Sequence, residues 1–137
     1  MAKMLVVDDD PAWRALYRMA FESRFEIFEA GDGQQGLSLL DAVSPDVVLL
    51  DLRMPRMDGL DFIRRADRAG MHPAIVVCSG TLTDGERPLI PGVQLTPKTS
   101  DLRDLWAALR AAVPEVGEAV PAAEHAAGRG EDTFWRD

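Results

Sequence analysis

Aspartates close two oily runs of the chain: Asp8-Asp9-Asp10 follows Met4-Leu5-Val6-Val7, and Asp51 follows Val47-Val48-Leu49-Leu50. Carboxylates brought together at neighbouring strand ends repel one another, which raises at least one pKa unless a cation sits among them. A divalent metal resolves that conflict. Oxygen-only ligation by Asp8, Asp9 and Asp51, with room for waters, points to Mg2+, with Mn2+ second and zinc disfavoured. A metal-bound carboxylate facing solvent is also a nucleophile toward phosphorus, since an acyl phosphate forms by in-line displacement while the metal neutralises the oxygens. Such a transfer wants a cation on the equatorial oxygens and a hydroxyl donor. Lys98 and Ser79, each at the end of another apolar run, supply them. Every one of these residues also has an ordinary reading: strand-end aspartates form turns or cap helices, loop lysines are solvated, and a serine after a strand is a turn residue. Asp10, directly before Pro11, fits the capping role.

The elements that must position these groups alternate along the chain. Strand-like runs recur at Met4 to Val7, Phe25 to Phe28, Val47 to Leu50, Ala74 to Cys78 and, more weakly, Val93 to Leu95. Segments of helical period lie between them. One starts at Pro11 and puts Trp13, Leu16, Tyr17, Ala20 and Phe21 near one face. A second runs from Asp32-Gly33 to Ser44-Pro45, a third from about Gly59 to Gly70, and a last from Ser100-Asp101, a natural N-cap, up to Pro114. Alternation of this kind predicts an α/β fold, a doubly wound five-stranded parallel sheet with helices on both faces. The order 2-1-3-4-5 accommodates five strands and makes the first and third neighbours at the switch point, so that Asp8, Asp9 and Asp51 share one edge.

Bulk properties narrow the function. The 137 residues, 47% of them hydrophobic, suffice for one compact domain. A net charge of -8 repels phosphate backbones and anionic lipid, which argues against direct nucleic-acid or membrane partners. The single cysteine, Cys78, forms no internal disulfide, and no segment fits a signal peptide or a membrane span, so the expected location is cytoplasmic. Beyond Val113 the composition turns to Glu, Ala, Gly and Pro. Residues 1–113 are therefore expected to form the domain and 114–137 an acidic, mostly flexible tail, charge -4 from six acids and two arginines. The last five residues, Thr133 to Asp137, carry the adjacent aromatics Phe134-Trp135 and are either an untethered terminus or a docking peptide. His72 and His125 are read as solvated.

The stretches VVDDD (6–10), LLDLRMPRMDG (49–59), IVVCSG (75–80) and LTPK (95–98) together resemble the receiver domain of two-component response regulators, over roughly residues 3 to 113. The resemblance implies a flavodoxin-like fold with Asp51 as phosphoacceptor, Asp9 as a direct Mg2+ ligand and Asp8 as an acidic partner acting mainly through water. It makes Arg53 a metal ligand through its backbone carbonyl, Ser79 a hydrogen-bond donor to the phosphoryl group, and Lys98 its counter-charge. The implied donor is a phosphohistidine on a sensor histidine kinase or phosphotransfer protein, and the output is a contact with a downstream protein target. Such a protein is no conventional enzyme, although it catalyses phosphorylation and dephosphorylation of its own aspartate.

Two departures from the family pattern stand out. The family usually has Lys-Pro with a cis peptide, whereas this chain has Pro97-Lys98-Thr99; Leu105, seven residues on, keeps Lys98 in register, and Lys98-Thr99 should be trans because a non-proline cis bond costs about 3–4 kcal/mol. Thr81 to Gly92 contains Gly85, Pro88, Pro91 and Gly92, so the fourth helix should be short or missing. Because that helix is part of the family's usual output face, its loss implies altered output contacts, and with Leu95 in place of the usual switch aromatic no rotating ring can report phosphorylation there. Three functions are thus open: a stand-alone, phosphorylation-dependent receiver with no output domain following, a phosphorylation-independent receiver-like interaction module, and a hydrolase on the Asp51 strand. The last commonly wants a second acid two residues after the nucleophile, where Arg53 stands.

Overall fold

Alternate residues of each buried run face opposite sides of a single sheet, and this parity organises the molecule. The computed structural model describes residues 1–80, 93–98 and 101–114. Among them the order is β1 (Ala2–Val7), α1 (Pro11–Phe21), β2 (Phe25–Ala30), α2 (Gly33–Val43), β3 (Val47–Leu50), α3 (Gly59–Arg68), β4 (Ala74–Ser79), β5 (Val93–Pro97) and α4 (Arg103–Ala112). The strands are all parallel and lie in the order β2-β1-β3-β4-β5, as expected. Met4, Val6, Val47, Leu49, Val76 and Cys78 join a core shared with α1 and α4, while Leu5, Val7, Val48, Leu50, Ile75 and Val77 join one shared with α3. A sheet covered on both faces explains the unbroken apolar runs of β1 and β3, whose central residues are fully buried.

Aspartates start three of the four helices among the described residues. Asp10 accepts from the Ala12 N–H at 2.9 Å, Asp32 from Gln35 at 2.8 Å and Asp58 from Asp61 at 2.9 Å. Each cap satisfies an otherwise orphaned donor, worth about 1 kcal/mol, and each helix starts directly after it, with Pro11, Gly33 or Gly59. The last helix, α4, starts later than expected. It begins at Arg103, with Leu102 at the N-cap and no side-chain cap bond, rather than at Ser100-Asp101. Asp101 still accepts the Arg103 N–H at 3.1 Å, but the Arg103 guanidinium also holds the carboxylate, 2.7 Å from Nη2 to Oδ2, and lowers its pKa.

Pro97 closes β5, which is an edge strand. The next N–H, that of Lys98, donates to the Ser79 carbonyl at 2.9 Å, so the Pro97 nitrogen faces away from the sheet, where no ladder bond is lost. No cis peptide occurs among the described residues. The segment Thr81 to Gly92, the Lys98-Thr99 bond and the 115–137 part of the expected tail lie outside them.

Gly59 sets how closely α3 approaches the end of β3. A Cβ there would lie 2.9 Å from both the Asp51 carbonyl oxygen and Leu52 Cα, and the Gly59 N–H donates to the Leu52 carbonyl at 3.0 Å. Backbone cannot yield as a side chain does. Gly59→Ala is therefore expected to cost about 2–3 kcal/mol, read as a lower urea midpoint at an unchanged slope.

Candidate functional site

β1 and β3 pair with Val7 opposite Leu50, and the Asp51 N–H donates to the Val7 carbonyl at 3.0 Å. The ladder thus carries Asp8 and Asp51 to one level, just past the strands. Counting in twos from Met4 and Val6, and from Val47 and Leu49, places both on the side of the sheet covered by α1. One oxygen from each of Asp8, Asp9 and Asp51 lies within 4.8 Å of the others. Asp8 and Asp51 are only 2% and 6% exposed, while Asp9 is exposed and opens the cluster to solvent.

Lys98 joins them from the far end of the sheet. Its Nζ lies 2.8 Å from Asp8 Oδ2 and 3.3 Å from Asp51 Oδ2, with the lysine side chain 10% exposed. Four of the predicted site residues, Asp8, Asp9, Asp51 and Lys98, therefore meet. Arg53 reaches the cluster through its backbone, its N–H donating to Asp51 Oδ1 at 3.3 Å. Ser79 is buried at the end of β4, and its carbonyl fixes the Lys98 backbone through the 2.9 Å bond above.

The electrostatics follow from burial. Desolvation pushes the Asp51 carboxyl above the ordinary range; Lys98 pulls it down, and Asp8 pushes it further up. For Lys98, burial opposes the charge, but the hydrogen bond to Asp8 and the charges of Asp51 and Asp8 outweigh it, so its pKa is raised. An all-oxygen donor set with one solvent-facing carboxylate and no nitrogen or sulfur donor in the cluster suits a hard divalent cation.

Sequence reasoning missed the groups behind the site. Arg14 Nη1 donates to the Asp8 carbonyl at 2.7 Å, pinning the end of β1, while its Nε pairs with Glu29 at 3.1 Å. Trp13 stands 5.1 Å from Lys98 Nζ, and Tyr17, one turn on, donates its hydroxyl to Cys78 Sγ at 3.3 Å. The helical period had put Trp13 and Tyr17 on one face, but nothing in it says that the face looks at Lys98.

Burial pushes the Cys78 thiol up to about 11, and its Sγ is 3.7 Å from the Pro97 carbonyl. A thiol this protonated and enclosed is a poor nucleophile at neutral pH. Alkylation by iodoacetamide is expected to be at least about 100-fold slower in the native protein than in the urea-unfolded chain, measured by intact mass over time.

A five-stranded doubly wound sheet of order 2-1-3-4-5, flanked by helices and carrying this cluster at its carboxyl edge, has the CheY-like, flavodoxin-type α/β fold. The chain belongs to the response regulator receiver domain family, which matches residues 4–110. Among curated proteins it is 38% identical over 96 residues to a protein-glutamate methylesterase/protein-glutamine glutaminase of Koribacter versatilis, covering 68% of this chain and 26% of that one. It is 38% identical over 80 residues to the positive alginate biosynthesis regulatory protein of Pseudomonas aeruginosa, covering 56% and 32%. The chain thus spans about a quarter to a third of the length of these relatives. Among solved structures, a response regulator receiver domain protein from Clostridium thermocellum superposes with a TM-score of 0.73 at 25% identity, covering 84% of this chain and 96% of that one. Chemotaxis protein CheY4 from Vibrio cholerae shares the fold, with a TM-score of 0.76 at 21% identity, covering 82% and 99%. Receiver domains serve phosphorylation-dependent two-component signalling, generally bind Mg2+ at an acidic site and interact with histidine kinases or phosphotransfer proteins. No helix among the described residues is long and apolar enough to cross a membrane.

Proposed function

We propose that Asp51 accepts a phosphoryl group from a phosphohistidine on a sensor histidine kinase or phosphotransfer protein, and that the resulting change in the surface alters affinity for a downstream protein. The observation that carries this reading is the meeting of Asp8, Asp9 and Asp51 oxygens within 4.8 Å, with Lys98 Nζ at 2.8 and 3.3 Å from two of them. In the transfer an Asp51 carboxylate oxygen forms the new bond to phosphorus, the bond from phosphorus to the histidine nitrogen breaks, and its electron pair stays on the imidazole. Lys98, already held between Asp8 and Asp51, takes up the charge on the phosphoryl oxygens, and Ser79 donates its hydroxyl to one of them. Asp8, Asp9 and Asp51, with the Arg53 carbonyl, would hold Mg2+. Bound there, the ion offsets the carboxylate repulsion and polarises the phosphoryl group.

The test is incubation with acetyl phosphate and Mg2+, followed by intact mass. An acid-stable, base-labile phosphoryl gain is expected, and removal of the metal by EDTA should slow it by about 100-fold or more. A wild-type protein that never gains the group under these conditions would instead be a phosphorylation-independent interaction module.

A further inference from the structure

We propose that Trp13 is the positioning residue for Lys98: its indole face supports the lysine side chain and aims the ammonium into the gap between Asp8 and Asp51. The inference rests on the reading of Asp51 as phosphoacceptor and of Lys98 as its counter-charge, and it explains how a lysine that lacks a following proline is kept in place.

A lysine side chain has several rotatable bonds and a compact, strongly hydrated head, so holding its ammonium at one point requires restraint along its length. The Lys98 backbone is restrained by the bond from its N–H to the Ser79 carbonyl at 2.9 Å. That leaves the side chain. Its Nζ stands 5.1 Å from the Trp13 ring centroid, within the range where a cation is drawn to an indole face. The ring is in turn fixed: Trp13 leans on Tyr17, centroids 5.7 Å apart and tilted by 33°, and Tyr17 is 1% exposed. The Tyr17 hydroxyl donates to Cys78 Sγ at 3.3 Å, and that thiol sits 3.7 Å from the carbonyl of Pro97, the residue before Lys98. The contacts close on themselves. From Pro97 they pass through Cys78, Tyr17 and Trp13 and return to the ammonium of Lys98, so α1 and the end of β5 hold the lysine from two sides.

Two readouts separate positioning from simple packing, both on the full chain. The first is the NMR shift of the Lys98 ε-methylene protons without metal. They are expected upfield of an ordinary lysine, to return to the usual position in Trp13→Leu, and to stay partly shifted in Trp13→Phe, which keeps an aromatic face. The second is the rate of phosphoryl uptake from acetyl phosphate. Trp13→Leu should slow it about tenfold and Trp13→Phe by no more than about threefold, while in a Lys98→Met background Trp13→Leu should add no further loss. Unshifted Lys98 protons in the wild type, or an equal loss from Trp13→Leu with and without Lys98, would overturn the proposal. Should the wild type take up no phosphoryl group, the phosphoacceptor reading fails alone, and the Lys98 resonance still decides whether Trp13 positions it.

Discussion

Asp51→Asn is expected to abolish phosphoryl uptake, lowering the rate by about a thousandfold or more, and at the same time to stabilise the metal-free protein. The first effect follows from chemistry, because the amide oxygen is a far weaker nucleophile and the variant has no equivalent carboxylate in the same position. The second follows from burial. With 6% exposure and Asp8 beside it, Asp51 has a folded-state pKa above its unfolded one, desolvation being the largest cause. Between the two values the folded protein binds more protons than the unfolded chain, so this group's contribution falls as pH rises through that window and remains unfavourable above it. An asparagine carries no such cost. Urea unfolding at neutral pH without metal should show Asp51→Asn about 1–2 kcal/mol more stable than wild type. Added Mg2+ should narrow the gap by stabilising the wild type more. A variant that still gains phosphoryl mass would show that Asp51 is not the acceptor.

Lys98→Met should produce the opposite pattern in stability. Lys98 sits against two carboxylates that are themselves almost fully buried, at 2.8 and 3.3 Å. Removing it leaves two buried like charges without their cation, which is expected to cost about 3–5 kcal/mol without metal. A divalent ion supplies the missing charge, so Mg2+ should restore a larger share of stability to Lys98→Met than to wild type. The wild-type lysine also predicts a pH dependence. Its folded-state pKa is raised, so its stabilisation is fully present below the unfolded lysine value and is lost as pH climbs through the folded one. Alkaline unfolding curves should therefore show a loss of stability in the wild type that Lys98→Met lacks. Identical curves would mean that the lysine does not balance the acids.

Much of this site was legible in the chain because strand ends and helix caps are local features. Asp8 and Asp51 were found from the runs that precede them, and parallel pairing of those runs brings them together whatever the intervening helices contain. Asp10 before Pro11 and the Asp32-Gly33 pair announced helix starts for the same reason, whereas the cap that Asp58 forms was not read from the chain. The start of α4 was misplaced, because Asp101 had a choice the sequence does not reveal: it takes the Arg103 N–H but also binds that residue's guanidinium, and the helix begins at Arg103 itself. The lysine's surroundings were hidden for another reason. Trp13 and Lys98 are far apart in sequence, and the angle at which α1 crosses the sheet, set by Tyr17, Phe21 and the pairing of Arg14 and Arg18 with Glu29, decides whether they meet.

The outward-turned nitrogen of Pro97 bears on how this protein meets copies of itself. A bare strand margin ordinarily offers a row of amide donors to any extended chain that drifts alongside, which is how sheets recruit one another into fibres. Here one rung of that row cannot form, and the pyrrolidine ring occupies the place where a visiting carbonyl would settle. Growth of the sheet past β5 is thereby discouraged beside the very lysine that serves the acidic cluster.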